Sequence, residues 1–287
     1  MRKFSTARLG ANGRHPVKHK ERQQSGMRPE AIIDPLFSIV TVVLNNKEGL
    51  IRTAQSIERQ NSSLYEWVVI DGGSTDGTLE VLEAYSKITS VKVSEPDKGI
   101  YDAMNKGLNL CTGSFVVFLN ADDQLVSDAL QSIFEMVPDI SDLDVAMLFC
   151  EVNLLLPDGK VRHRSVLDPE RHLWHRMPTS HQAIFFERQT HLRFQYSARF
   201  PVSADYATVA EIYAASVKER AALSLPIVVS ETPIGGNSFS SSNWRKLLTD
   251  HWRIQTEILQ VGLSWRLLSI ARKLAITGYL RALSYVR

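Results

Sequence analysis

Acidic and hydroxyl side chains directly follow one of the apolar segments of this 287-residue chain. In VVIDGGSTDGT, Asp71 ends the apolar run and two glycines and a serine follow it. Glycines permit a tight turn and a close approach of backbone to a ligand, and we expect Ser74 or Thr75, with Asp76, to cap a helix after the turn. Asp71 could then accept a hydrogen bond from a base N–H or a sugar hydroxyl. Taken alone, the turn is equally consistent with a helix cap that binds nothing.

A pair of carboxylates follows a later apolar segment, FVVFLNADD. Asp122 and Asp123 supply the oxygen ligands that hard divalent cations prefer. By itself the pair is equally consistent with acidic residues at the N-terminus of a helix that begins near VSDAL, where the helix dipole favours negative charge.

Between these two motifs lies SEPDKGIYDAMNKG, in which lysines precede and interrupt a helical pattern. Lys98 and Lys106 can each serve as a phosphate-binding point charge. Asp97 and Lys98 fall in the turn before the helix, where backbone N–H groups favour anions. The alternative is that both lysines are solvated surface charges, as lysines commonly are.

These motifs require a scaffold of alternating strands and helices. Short apolar runs predict strands at FSIVTVVL, EWVVID, VKVS and FVVFLN, and Leu50, Ile51, Ala54 and Ile57 recur at helical spacing between the first two. Such alternation predicts a doubly wound parallel sheet, in which ligands bind beyond the carboxyl ends of the strands. That rule places the loops at Asn45, Asp71, 94–99 and 120–123 in one site.

The later elements are less regular. We expect a helix to about Val137, a strand VAMLFC, a hairpin around LLLPDGKV and a strand in HQAIFFE. SADYATVAEIYAAS predicts a helix with apolar positions Val209, Ile212 and Ala215, and on the segment after Asp76 we expect Leu79 and Leu82 on one face. From Trp244 the chain is predicted to be helical, with a break at Gly262.

Charge is distributed unevenly along the chain. Residues 1–35 carry eight Lys or Arg against three acids, and residues 244–287 carry eight against two, so a net charge of +2 leaves −9 for the middle. The acidic centre disfavours nucleic acid as a partner. The basic ends are consistent with an anionic membrane surface or with solvated tails. Two cysteines with no CxxC pair predict neither a disulfide framework nor a zinc site and favour a cytoplasmic location, and no apolar run is long enough to span a membrane.

The motifs in this order and spacing resemble the family 2 glycosyltransferases of GT-A fold, in particular the bacterial exopolysaccharide and lipopolysaccharide branch. The resemblance runs from SIVTVVLNNKEGLIRTAQSI through DGGSTDGT to SEPDKGIYDAMNKGLNLCTGSFVVFLNADD. It implies an α/β fold with a doubly wound, mostly parallel central sheet and a C-terminal helical extension. It also divides the chain into a flexible basic leader (1–35), a catalytic domain (36–240) with nucleotide-sugar (36–125) and acceptor (126–240) halves, and C-terminal basic amphipathic helices (241–287).

The resemblance implies an inverting, metal-dependent hexosyltransferase that uses a nucleotide-diphosphate sugar, with UDP the expected nucleotide. It assigns the nucleotide-sugar site to positions that follow the strands: Thr41, Asn45, Asp71, Asp97, Lys98, Asn105, Asn120 and Ala121. The resemblance also implies Mg²⁺ or Mn²⁺ as cofactor, with Asp122 as its direct ligand and Asp123 in a supporting position. Two positions depart from the family pattern: Asn120 replaces the first Asp of the DxD motif, and Met104 replaces a common Arg.

On the acceptor side, the resemblance assigns the catalytic base to Asp205 and a substrate-binding pair to His181 and Gln182. The alternatives are a helix-capping role for Asp205, for which Ser203 is the better candidate, and a satisfied core position for His181. The implied acceptor is a glycan or lipid-linked saccharide in cell-surface polysaccharide biosynthesis.

The C-terminal stretch WRLLSIARKLAITGYLRALSYVR combines apolar and basic residues. This pattern predicts either an interfacial helix on the inner face of the cell membrane or a helix packed on protein. Two other functions remain open: a non-catalytic sugar- or nucleotide-binding module, and a sugar-phosphate nucleotidyltransferase. The latter would want a Gly-rich basic loop after the first strand, and NNKEGL is not one.

Overall fold

The computed structural model describes residues 7–8, 35–137, 140, 144–216, 221–234 and 243–284, and at 7–8, 221 and 276–284 it describes the backbone alone. Most of the predicted leader therefore lies outside the described residues. Its described part is β1 (Ala7–Arg8), which pairs with the edge of the sheet. The predicted start of the fold near Phe37 coincides with the first residue of β2.

The first half alternates strand and helix as the apolar periodicity predicts. Its elements are β2 (Phe37–Val43), α1 (Lys47–Glu58), β3 (Tyr65–Asp71), α2 (Thr78–Ala84), β4 (Val91–Ser94), α3 (Ile100–Leu110) and β5 (Phe115–Phe118). Every residue of β2 and β3 is buried because helices cover both faces of the sheet. Both strands end in register, with Val43 opposite Asp71, so their following loops lie side by side.

The second half adds antiparallel strands to the same sheet. Its elements are β6 (Gln124–Leu125), α4 (Ala129–Met136), β7 (Val145–Leu155), β8 (Val161–Arg164), α5 (Pro169–His172), a 3₁₀ turn (His181–Ala183), β9 (Ile184–Glu187), α6 (Arg188–Arg193), α7 (Ala204–Ser216), β10 (Ala221–Pro233), α8 (Trp244–Arg253), a π-helical turn (Ile254–Ile258) and α9 (Leu263–Ser284). The predicted hairpin is β7–β8, and Gly159 supplies a positive φ in its turn.

Within the described residues, ten strands form one sheet of order β1-β10-β7-β9-β5-β2-β3-β4, with β6 on β10 and β8 on β7. The pairs β5-β2, β2-β3, β3-β4, β7-β10 and β1-β10 are parallel, and β9, β6 and β8 pair antiparallel. The predicted α/β fold with a mostly parallel sheet is confirmed.

Two apolar clusters lie on opposite faces of this sheet, because successive strand residues point to opposite sides. Ile39 and Trp67 belong to one cluster, and Val40 and Val68 to the other. Six buried phenylalanines lie in the described strands: Phe37, Phe115, Phe118, Phe149, Phe185 and Phe186. The sheet is therefore a rigid base for the loops at its carboxyl edge.

Two predicted helix faces are wrong in detail. Leu79 is 41% exposed, because α2 buries Thr78, Val81 and Leu82, a stripe that begins one residue earlier. Ala215 of α7 is also exposed, and Ser216 continues the buried side of that helix. The helices themselves lie where the sequence predicts them.

Candidate active site

Asp71 is the last residue of β3 and is completely buried. Its carboxylate accepts hydrogen bonds from the backbone N–H groups of Gly73 (3.1 Å) and Ser74 (3.0 Å) and from the Ser94 hydroxyl (2.6 Å). Gly73 has a φ of +87°, which L side chains rarely adopt. Asp71 therefore holds the DGGS turn closed and fixes its distance from the end of β4.

Asn45 connects the loop after β2 to the same turn. Its backbone N–H donates to the Ser74 hydroxyl (2.7 Å), and its side-chain oxygen accepts from the Thr75 N–H (2.9 Å). The expected capping of α2 by Ser74 or Thr75 is wrong, since both residues face Asn45. Asp76 instead accepts from the Thr78 N–H (3.1 Å) and hydroxyl (2.6 Å) at the start of that helix.

Thr41 lies in the core, away from the loops that surround Asp71. Its side chain is completely buried, donates to the Leu119 carbonyl (2.8 Å) and accepts from the Trp67 indole N–H (2.9 Å). Thr41 is two residues short of the end of β2, so its hydroxyl faces neighbouring strands and has no solvent-facing surface. The structure does not bring Thr41 together with the other candidate donor residues.

Asp97 lies directly against the DGGS turn, and the exposed Lys98 follows it in the loop between β4 and α3. A Cβ added at Gly72 would come within 2.7 Å of the Asp97 carboxylate, so only glycine leaves room for this contact. Asp97 accepts from the Gly99 N–H (2.7 Å), and the Lys98 N–H donates to Asp102 (3.0 Å) at the start of α3. The Lys98 residue itself is exposed, which leaves its ammonium free to meet a diphosphate.

Lys106, Met104 and Asn105 of α3 have structural partners instead. Lys106 pairs with Glu95 (2.7 Å), and the hydrogen bond to that carboxylate raises the pKa of Lys106. Met104 is buried in the core. The Asn105 amide donates to the Tyr196 carbonyl (2.9 Å) and accepts from the Tyr196 N–H (3.0 Å). Asn105 thus joins α3 to the segment that follows α6, and Lys98 is the lysine of this segment that remains available.

The NADD segment holds three oxygen-bearing side chains in different states. Asp122 has a φ of +91°, is partly exposed and pairs with Arg52 (2.7 Å). The Asn120 side-chain oxygen is buried and accepts no hydrogen bond from the described residues. Asp123 is buried and accepts from the Gln182 amide (3.0 Å), and burial raises its pKa to about 7. Ala121 is half-buried and packs against the core.

Asp205 lies at the start of α7 in the wall of a cavity of about 600 Å³. Its carboxylate accepts from the Tyr101 hydroxyl (3.1 Å), and burial raises its pKa. The preceding loop is held by Asp250, which accepts from the backbone N–H groups of Val202 (3.0 Å) and Ser203 (3.1 Å). The Ser203 hydroxyl has no hydrogen-bond partner among the described residues, so it does not cap this helix.

His181 and Gln182 point to different parts of the molecule. The His181 ring is buried, stacks on Phe118 and shares the Tyr196 hydroxyl (2.7 Å) with His191 (3.1 Å). Burial lowers the pKa of His181 to about 4, so the ring is neutral near pH 7. Gln182 instead reaches Asp123. The structure therefore places Gln182 beside the acidic motif and His181 in a satisfied core network.

The sequence motifs do not include two side chains that the fold brings to the site. Arg52 of α1 pairs with Asp122, 70 residues later, and Tyr101 of α3 contacts Asp205, 104 residues later. Arg52 lies on the polar side of α1, and Tyr101 follows Lys98 by three residues. Neither position in the sequence indicates which distant residue it will contact. Among the described residues, no three His, Cys, Asp or Glu side chains form a metal cluster, and Cys111 and Cys150 are buried free thiols.

The architecture matches solved glycosyltransferases of the GT-A class. S. aureus TarS 1–349 in complex with UDP-GlcNAc superposes with a TM-score of 0.59 at 15% identity, over 78% of this chain and 71% of that chain. The mannosyltransferase PcManGT from Pyrobaculum calidifontis, in complex with GDP-Man and Mn²⁺, gives 0.58 at 17% identity, over 92% and 84%. At these identities the likeness establishes the GT-A fold alone.

The family follows from the sequence comparison. The family model "Glycosyl transferase family 2" matches residues 38–203, more than half of the chain, and the protein belongs to that family. One relative, a PGL/p-HBAD biosynthesis glycosyltransferase of Mycobacterium bovis (strain BCG / Pasteur 1173P2), is 32% identical over 177 residues, which cover 60% of this chain and 67% of the relative. The predicted family 2 membership and GT-A fold are confirmed.

Proposed function

We propose that the protein transfers a sugar, with inversion, from a nucleotide-diphosphate donor to an acceptor hydroxyl, with Asp205 as catalytic base. The observation that carries this proposal is the contact between Tyr101 and Asp205. Tyr101 lies on α3, three residues after Lys98. The first turn of α3 therefore connects the candidate donor loop to Asp205, the only carboxylate among the described residues that line the cavity.

In the proposed reaction the Asp205 carboxylate takes the proton of the acceptor hydroxyl. The hydroxyl oxygen forms a bond to the anomeric carbon as the bond from that carbon to the donor diphosphate breaks. The nucleoside diphosphate leaves with the bonding electron pair, and the proton remains on Asp205. The raised pKa of Asp205 suits this step, because a stronger base removes a hydroxyl proton more readily.

Donor binding is proposed at the DGGS turn. Asn45 and Asp71 hold the shape of this turn, Asp97 lies against it, and the exposed Lys98 follows Asp97. A diphosphate is favoured near Lys98 by charge and by the start of α3. UDP is the proposed nucleotide; TarS binds UDP-GlcNAc and PcManGT binds GDP-Man, so guanine is the main competitor.

Mg²⁺ or Mn²⁺ is the proposed cofactor, and the residues present fit such an ion. The Asn120 side-chain oxygen is buried without a partner, and the Asp122 carboxylate is accessible beside it in sequence. Asp123 supports the segment from its buried position against Gln182. Hard divalent cations accept amide and carboxylate oxygens and retain several waters, so few protein ligands suffice. When bound, the ion would neutralise charge that develops on the leaving diphosphate.

The acceptor is proposed to be a glycan or lipid-linked saccharide at the inner face of the cell membrane. Helix α9 exposes five apolar side chains: Leu263, Trp265, Leu267, Leu268 and Leu274. Basic residues lie between them in the sequence. Arg272 on the same helix stacks over Trp174. Such a surface suits an anionic bilayer interface. Within the described residues, no helix is long and apolar enough to cross a membrane.

The test is a donor screen with purified protein and UDP-, GDP- and dTDP-sugars, with Mg²⁺, Mn²⁺ or EDTA. We expect slow metal-dependent hydrolysis of one donor class, and transfer when acceptor is added. Donor binding without turnover would favour a non-catalytic module. No binding of any nucleotide sugar would overturn the proposal. Release of inorganic diphosphate from a nucleoside triphosphate and a sugar phosphate would instead identify a nucleotidyltransferase.

A further inference from the structure

The cavity that contains Asp205 is strongly basic. Its wall includes the guanidinium-bearing residues Arg162, Arg164 and Arg176, and Asp205 is the one carboxylate among its lining residues. A cavity for a neutral sugar needs hydroxyl-binding groups, of which acids and amides are the usual ones. Three arginines in one wall instead match a ligand with negatively charged oxygens.

The charge of these arginines is not balanced within the described protein. Arg164 donates to the Ser180 hydroxyl (3.2 Å) and the Met177 carbonyl (3.1 Å), both neutral oxygens. No described carboxylate lies within ion-pair distance of the three arginines. Carboxylates close to them in sequence pair with other residues, Asp158 with Lys160 (2.9 Å) and Asp168 with Arg171 (3.5 Å), and Glu151 on β7 pairs with His163 (3.1 Å).

The positive groups are close enough to repel one another. Burial, and next the charge of Arg176, lower the pKa of Arg164, of His175 and of Lys273. The pKa of Lys273 falls to about 8 and that of His175 to about 4. Near pH 7 His175 is therefore neutral, and the repulsion is that of Arg176 on the cationic Arg164 and Lys273. An anion bound among these groups would relieve it.

We propose that the acceptor substrate is a sugar phosphate, whose phosphate binds to Arg162, Arg164 and Arg176 while its hydroxyl lies at Asp205. This inference rests on the proposed function and names its acceptor class. Phosphate is favoured over carboxylate because a phosphoryl group presents more oxygens to three guanidinium groups. Arg164, fixed by its bonds to Ser180 and Met177, is the pre-positioned member, and Arg162 and Arg176 are exposed at the wall.

The phosphate can belong to a soluble sugar phosphate or to a lipid-linked one. The arginine cluster adjoins the apolar surface of α9 through aromatic rings. His175, whose pKa Arg176 lowers, has its ring centroid 4.3 Å from that of Trp174, and the Trp174 centroid is 5.2 Å from that of Trp265. A lipid chain attached to the phosphate could follow these indole rings towards α9. The two sources share the same phosphate chemistry and differ in the apolar contact.

The test compares probes that differ by one phosphate. For each sugar in a panel, the methyl glycoside and the glycosyl 1-phosphate are offered as acceptors with the donor that the screen identifies. We expect the wild-type kcat/KM to be at least about tenfold higher for the phosphate, and the ratio to fall to about one in the double variant Arg162→Gln, Arg176→Gln. Arg171→Gln is the matched control, because Arg171 is 81% exposed on α5 and outside the cavity wall.

A second arm does not depend on turnover. Calorimetry with protein saturated with UDP measures binding of glycosyl 1-phosphate, which the double variant should lose and Arg171→Gln should keep. A polyprenyl ester of the same phosphate, in detergent micelles, distinguishes the lipid source by tighter binding that Trp265→Ala reduces. Either source supports the proposal.

Equal use of both probes by the wild type, an unchanged ratio in the double variant, or a preference for the matching uronic acid would overturn the proposal. If donor hydrolysis is observed but the phosphate has no effect, the acceptor inference fails alone. If no donor is used, the proposed function fails, and the binding arm still reports on the cavity.

Discussion

The two sides of the candidate site differ in charge and in how they are built. The donor edge is acidic, with Asp71, Asp97, Asp122 and Asp123 close in sequence to strand ends. The acceptor cavity is basic, with its arginines on β8 and in the loop after α5. Within the described residues, Arg52 pairs with Asp122 on the acidic edge, whereas no carboxylate pairs with the three arginines of the cavity.

The difference indicates what each side binds. A cation would help the acidic edge to receive a diphosphate beside Lys98, and we propose that it fits at the Asn120 oxygen, which has no hydrogen-bond partner among the described residues. A basic cavity needs no cation to receive a phosphate. Asp205, between the two sides, is the one carboxylate that faces the basic wall.

The largest expected effect comes from removal of the proposed catalytic base, Asp205. Asp205→Asn should lower kcat by about 10³-fold, since an amide cannot take the hydroxyl proton. Donor affinity should stay at the wild-type value, as measured by titration with the nucleotide sugar. Transfer at more than a tenth of the wild-type rate would assign the base to another residue.

On the acidic side, Asp122→Ala should lower the metal-dependent rate about 100-fold at a fixed Mn²⁺ concentration. Arg52→Gln is the matched variant, because it removes the cation that pairs with Asp122. We expect Arg52→Gln to lower the Mn²⁺ concentration at half-maximal rate about threefold, as an exposed ion pair contributes little. A higher half-maximal Mn²⁺ concentration in Arg52→Gln, or an unchanged metal-dependent rate in Asp122→Ala, would exclude Asp122 as a ligand.

The buried network of His181, His191 and the Tyr196 hydroxyl predicts that the folded protein loses stability in acid. Burial lowers the pKa of His181 to about 4, so between pH 6.5 and 4 the unfolded chain takes up a proton that the folded protein does not. Stability is therefore complete above pH 6.5 and is lost as the pH falls. His181→Gln should reduce the loss of unfolding free energy between pH 7 and pH 5 by about 2 kcal/mol. Urea titrations at both pH values measure this, and identical losses in both proteins would count against it.

The smallest effect is expected from Tyr101→Phe. The Tyr101 hydroxyl stabilises the ionised Asp205, so its loss should raise the pKa of Asp205 further. The acidic limb of the kcat/KM profile should move to higher pH by up to about one unit, with the rate on the alkaline plateau nearly unchanged. Tyr213→Phe, two helical turns from Asp205 on α7, is the control. A uniform loss at all pH values would assign Tyr101 a structural role only.

Sequence reasoning was most successful where the motif is local. Asp71, Gly73 and Ser74 form one turn, and their hydrogen bonds span two or three residues. The roles of Ser74 and Thr75 were nevertheless wrong, because Asn45, about 30 residues earlier, competes for them. Thr41 and Asn105 were placed at the donor site, yet Thr41 hydrogen bonds within the core and Asn105 binds the Tyr196 backbone. Strand parity and packing decide such contacts.

The sequence by itself determined the alternation of strands and helices and the order of the acidic motifs, because apolar periodicity and glycine-containing turns are local properties. The resemblance of those motifs to family 2 glycosyltransferases then indicated the family and the GT-A fold. Only the tertiary structure decided that Tyr101 contacts Asp205, that Arg52 neutralises Asp122, and that three arginines face one cavity. These contacts join residues that are far apart in the chain, and the packing of helices on the sheet sets their distances. No spacing of residue types along a single sequence carries that information.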